Sequence, residues 1–197
     1  MTTPATPAWL ALTTPAWLAP TARAVRWLPL LGVAVCMLGV VTLATVRGSW
    51  PVGMLDVAAA GMAAAVVAGL RDPAADLLSA VPTSAARRRA RRQLLLVPVG
   101  LGMWLSYLAV GNVLSPDLGW PLGPAVALVA TGCAVAAWVP DRLSVEAGVA
   151  APLLWMAVAR ASTGLDASVT GVLAGYQHHP WIVTLAAVAA LLLGRNR

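Results

Sequence analysis

The sequence predicts an all-α integral membrane protein with six transmembrane helices, an N-terminal interfacial segment, an amphipathic cytoplasmic helix between spans two and three, and a re-entrant external element before span six. Three observations predict it. The mean hydropathy is +0.82, with 60% hydrophobic and only 10% charged residues, so lipid is the solvent for most of the chain. Apolar runs long enough to cross a bilayer recur between short polar turns. The arginines gather on alternate connections, as the positive-inside bias requires.

Residues 1–26 form the interfacial segment and 27–197 a single transmembrane domain. Thr6-Pro7-Ala8-Trp9-Leu10-Ala11 repeats as Thr14-Pro15-Ala16-Trp17-Leu18-Ala19. Prolines interrupt this stretch, and Arg23 and Arg26 follow rather than precede it, unlike a cleaved secretory signal. Its tryptophans and arginines suit the headgroup level, with a disordered tail as the alternative.

Residues 27–46 are span one, about 20 residues at roughly 1.5 Å rise each, enough for a ~30 Å hydrocarbon core. Arg47-Gly48-Ser49-Trp50-Pro51 turns the chain, and 52–70, rich in Ala and Gly, crosses back as span two. Residues 71–93 are a polar island. An amphipathic helix begins after Asp72-Pro73, presents Leu77, Leu78 and Val81 on one face, and ends at Pro82. Thr83-Ser84 then caps a second helix whose first turns carry Arg87, Arg88, Arg89, Arg91 and Arg92, a basic cytoplasmic anchor, and whose continuation, 94–110, is span three.

Spans four and five are 122–139 and 143–159, joined at Pro140-Asp141-Arg142. Residues 161–180 are neither a clean span nor a clean loop. Val169 to Tyr176 is apolar for about two helical turns, and Gln177-His178-His179-Pro180 breaks it before a short sixth span, 181–193. A half-helix entering the outer leaflet is expected there, with its broken backbone shielded by protein or water. With the island inside, eleven arginines fall on the cytoplasmic side and two, Arg47 and Arg160, outside. Both termini are then cytoplasmic and the protein is multi-pass in the cytoplasmic membrane.

The charge of +6 marks topology rather than nucleic-acid binding, because the basic residues flank apolar runs instead of interleaving with aromatics on a polar face. All thirteen basic residues are Arg, which removes the P-loop and Schiff-base lysines, so no familiar ATPase chemistry belongs to this chain. Catalytic, cofactor and metal sites are expected to be absent: Cys36 and Cys133 lack a CxxC partner, and His178-His179 has no neighbouring acid or Cys. Asp56 is expected to pair with Arg47 across the hairpin, and Glu146 with Arg142 one turn away. The Gly171-to-Gly175 spacing matches GxxxG, and the uniformly apolar spans imply an apolar path.

The order of elements, together with Asp76-Leu77-Leu78-Ser79-Ala80-Val81-Pro82-Thr83-Ser84 followed by Arg87-Arg88-Arg89, resembles the membrane subunit of an ABC-2-type ABC transporter. The architectural resemblance covers nearly the whole chain, and the motif about a dozen residues. It implies that Asp72, Asp76, Leu77, Leu78, Val81 and Pro82 belong to a cytoplasmic coupling helix that contacts a separate ATP-binding subunit. It further implies that ATP and Mg sit in that partner. Six spans are too few to enclose a path, so a second permease subunit, self or related, is expected to complete it, and the apolar spans point to an apolar or amphiphilic substrate, with export as the expected direction. The chain is shorter than usual for that family and its loops are small. A non-catalytic assembly subunit of a larger membrane complex is the alternative, and a membrane enzyme lacks a Ser/His, Asp/Asp or metal-ligand set at one depth.

Overall fold

The structure, a computed structural model, describes residues 17–48, 53–71, 85–111, 119–140, 142–164 and 167–194. Among them every regular element is helical. The helices are α1 (Leu18–Ala24), α2 (Leu28–Arg47), α3 (Met54–Ala68), α4 (Ala85–Val110), α5 (Gly119–Trp138), α6 (Ser144–Ala161), α7 (Ala167–Leu173), α8 (Gly175–His178) and α9 (Pro180–Gly194), with one 3₁₀ turn at Ser162–Gly164. By length and apolarity, Leu28–Arg47, Arg87–Val110 and Pro121–Trp138 suffice to cross a membrane, and Met54–Ala68 and Pro180–Gly194 are shorter apolar helices.

The bundle is apolar outside as well as inside. Leu28, Val35 and Val46 on α2, and Ile182, Leu185 and Leu193 on α9, are all well exposed. Large contiguous apolar faces of this kind are disfavoured in water and suit lipid.

Helix α3 is the centre, packed against α2, α4, α5 and α6. Its Ala-rich sequence leaves little side-chain bulk, so neighbours approach from several sides, and Ala59, Ala60 and the run from Met62 to Val67 are buried. Val67 meets Gly132 of α5 and Gly148 of α6 at a three-way crossing. A Cβ at Gly148 would lie 2.7 Å from Ala136 Cβ and 2.8 Å from the Gly132 carbonyl oxygen, and one at Gly132 would lie 2.8 Å from Val67 Cγ2. Only hydrogen in place of a side chain admits this approach.

Contacts along the helices give their directions. Gly69 abuts Leu96 while Gly100 abuts Val66 and Met62, so α3 and α4 are antiparallel. Val67 beside Gly148 and Asp56 beside Arg160 make α3 and α6 antiparallel. Gly123 touches Pro180, and the Trp138 indole donates to the Ala190 carbonyl at 2.7 Å, so α5 and α9 are parallel. Helix α4 turns one line of side chains inward, Arg92, Leu96, Gly100, Trp104 and Leu108, each four residues from the next and each buried.

The connection between α2 and α3 has a left-handed glycine at each end, Gly48 at φ +68° and Gly53 at φ +82°. At the α6–α9 connection the chain breaks at Ala174 as well as at His179, where the sequence places the break at Gln177 to Pro180 alone. The α7–α8 unit folds back on α6: the Trp155 indole donates to the Leu173 carbonyl at 2.6 Å and stands edge-on to the Tyr176 ring at 5.6 Å. That bond satisfies a carbonyl freed by the break. Cys133 is buried, whereas Cys36 lies on the exposed apolar face of α2. Residues 1–16, with the Trp9 repeat, lie outside the described residues. Beyond them α1 is a short helix, followed by Trp27, whose indole donates to the Ala22 carbonyl at 2.8 Å.

The crossing predicts opposite outcomes for the same substitution. Gly148→Ala is expected to destabilise by about 1–3 kcal/mol through overpacking. Gly39→Ala, where a Cβ meets nothing within 4 Å, is expected to be neutral or to stabilise by up to about 1 kcal/mol through helix propensity. Thermal unfolding midpoints in one detergent would compare the two.

Candidate functional site

Polar side chains gather at the two ends of the bundle. At one end α3 finishes and α4 and α6 begin. Helix α3 ends at Ala68, and Arg92 holds the chain just beyond it: its Nη1 donates to the Arg71 carbonyl at 3.0 Å and the Leu70 carbonyl at 3.4 Å. A cation at a helix C-terminus also complements the helix dipole. Arg92 is only 6% exposed, so it is a buried cap rather than part of a solvated anchor. Arg89 Nη2 donates to the buried Ser144 hydroxyl at 2.9 Å, tying α4 to the first residue of α6. Arg87 is exposed, and Arg88 and Arg91 are half-buried.

Glu146 pairs with Arg71 at 3.7 Å, in place of the expected Arg142. The reason is tertiary: the antiparallel packing of α3 and α6 brings the end of one against the first turn of the other. Both side chains of that pair are more than half exposed, so it contributes little, about 0–1 kcal/mol. Asp72, Asp76, Leu77, Leu78, Val81 and Pro82 fall in 72–84, outside the described residues.

At the other end Asp56, in the first turn of α3, pairs with Arg160, in the last turn of α6. Arg47, the expected partner, ends α2 on an exposed position. Arg160 is 104 residues away in sequence and adjacent in space, again because α3 and α6 run antiparallel. Each charge also sits at the helix end whose dipole favours it. Gly53 makes room for the pair, because a Cβ there would run into the Arg160 guanidinium.

A cleft of about 640 Å³ surrounds this pair. Leu55 and Ala59 of α3, Trp104 of α4, and Pro121 and Pro124 of α5 give it an apolar wall. Gln177 and His178 of α8, with Thr163 and Thr170, line its polar side. Trp104 is held in place by its indole, which donates to the Pro121 carbonyl at 3.0 Å, and by stacking on Tyr107 at 5.5 Å. Gln177 Nε2 donates to the Tyr176 hydroxyl at 3.1 Å.

The cleft therefore differs from the uniformly apolar path that composition implies. Trp104, Gln177 and the Asp56–Arg160 match escape a linear reading, although a charge inside an apolar helix does signal that some partner is needed. His178 lies on the cleft, and among the described residues no group of three or more His, Cys, Asp or Glu is placed to hold a metal. Comparison with protein-family models, curated proteins and solved structures gives no match.

Within the arginine cluster the positions are unequal. Arg92→Gln is expected to lower stability by about 1.5–3 kcal/mol, the range for hydrogen bonds lost from a charged donor on a buried side chain. Arg91→Gln is expected to stay within about 0.5 kcal/mol. Unfolding of the two variants in detergent, monitored by circular dichroism, would check the difference.

Proposed function

We propose that this chain is the membrane (permease) subunit of an ATP-driven transporter of the ABC-2 type. In this reading it crosses the cytoplasmic membrane six times, by α2, α3, α4, α5, α6 and α9, with both termini and the arginine end inside. The α7–α8 unit enters the outer leaflet as a re-entrant element. The observation that carries the reading is the linkage at the arginine end. Segment 72–84 joins α3 to α4, and Arg92 and Arg89 bind the start of α4 to the end of α3 and the start of α6. A force on that segment is passed to three helices instead of being absorbed in a loose loop.

The same two helices reach the opposite end. Helices α3 and α6 carry Asp56 and Arg160, so a tilt of α3 against α6 reshapes the cleft. The coupling helix, with Leu77 and Leu78 on its apolar face, docks on a separate ATP-binding subunit that holds ATP and Mg. Closure of two such subunits shifts the bundle between two states through differential affinity, with no chemistry in this chain. Transport is outward, and a second permease copy or a relative completes the path. Helices α3 and α9, at 15 residues and roughly 22 Å, are shorter than a ~30 Å core. For α3, burial by its neighbours makes that tolerable, and for α9 local thinning of the bilayer does.

Purification from native membranes in a mild detergent is expected to bring down a stoichiometric nucleotide-binding subunit. Leu77→Asp with Leu78→Asp is expected to abolish that association while leaving the chain in the membrane. Recovery of the chain alone or with an unrelated membrane complex would replace the transport reading with an assembly subunit.

A further inference from the structure

The cleft has a charge balance that selects its occupant. Among the described residues its two formal charges are Asp56 and Arg160, which sum to zero when histidine is counted as neutral. A net anion or cation entering it meets no uncompensated counter-charge, so its desolvation goes unrepaid. A molecule carrying both signs is different. Arg160 engages Asp56 through Nη2 and Oδ2, and among the described residues Asp56 Oδ1 and Arg160 Nη1 and Nε make no other hydrogen bond. One acceptor and further donors thus remain beside one another, matching a head with a cationic and an anionic group. Leu55, Trp104 and Pro121 offer an apolar wall next to them. The volume, about 640 Å³, lies within the roughly 300–1,000 Å³ typical of small-ligand sites.

The geometry points to a binding site for a zwitterionic amphiphile, its head on the Asp56–Arg160 pair and its apolar part along Leu55, Trp104 and Pro121. Calling the occupant a cargo rests on the transport reading; the binding itself does not.

The test uses the full chain in maltoside micelles at pH 8, where imidazole is uncharged, without ATP or any partner. Three probes share one dodecyl tail: dodecylphosphocholine, dodecyl phosphate and dodecyltrimethylammonium, each below its micellar concentration. Saturable one-to-one binding of the zwitterion, at least about tenfold tighter than either charged probe, is expected. Asp56→Asn leaves a net positive cleft and is expected to shift preference to dodecyl phosphate. Arg160→Gln leaves a net negative one and is expected to shift it to dodecyltrimethylammonium, a reversal that a purely structural ion pair would not produce. If either single variant fails to fold, Asp56→Arg combined with Arg160→Asp restores the pair and is expected to keep the zwitterion preference. Equal binding of the three probes, or an unchanged preference in the folded variants, overturns the proposal. Repetition in phosphatidylcholine nanodiscs separates the sources: loss of probe binding there assigns the site to a bilayer lipid, and retained binding to a soluble amphiphile. Because no ATPase is present, binding can hold while the transport reading fails, and the reverse.

Discussion

Close approach of three helices at Val67, Gly132 and Gly148 governs the rest of this structure. In lipid there is no hydrophobic gain from bringing apolar helices together, so association depends on van der Waals contact and on backbones near enough to make it. The two glycines provide that nearness for α5 and α6 against α3. The crossing also sets the register. Asp56 lies eleven residues before Val67 on α3, and Arg160 twelve residues after Gly148 on α6, roughly 17 Å along each axis. The antiparallel pair therefore delivers the two charges to the same level, and on the other side it brings Arg71 beside Glu146.

Polar groups are costly in such a bundle, and the ion pairs and arginine contacts among the described residues lie towards the helix ends. Arg92 and Arg89 donate to two carbonyls and a hydroxyl at one end, and Asp56 and Arg160 neutralise each other beside a cleft. The central helices α3 and α6 touch both polar regions. A rigid element with one end in each region is the physical requirement for transmitting a displacement across the membrane, and it is why the proposed coupling role for 72–84 and the proposed amphiphile site belong to one mechanism.

The helices themselves are legible in the sequence: composition and run length place α2 to α6 and α9 within a few residues of their observed ends. What joins them is not. The Gly171-to-Gly175 spacing matches a known packing motif, yet a Cβ at Gly171 meets nothing within 4 Å and one at Gly175 only reaches Val183 at 4.0 Å. Gly132 and Gly148, neither of them four residues from another glycine, make the crossing instead, because close packing depends on which faces meet. Ion pairs follow the same rule. Local spacing matches Asp56 with Arg47 and Glu146 with Arg142, while the folded chain chooses Arg160 and Arg71 from antiparallel neighbours. One signal was present: Arg92 shares a four-residue period with Leu96, Gly100, Trp104 and Leu108, which marks it as inward-facing among arginines that otherwise look alike.

The most direct measurement is the sidedness of the two polar regions. In a background with Cys36 and Cys133 replaced by Ala, single cysteines at Thr163 and at Arg91 would be treated in intact cells with a membrane-impermeant maleimide. An alternating bundle with its cleft outside and its arginine end inside requires labelling at position 163 and protection at 91 until the membrane is permeabilised. Labelling of both positions from outside, or of 91 alone, would contradict it.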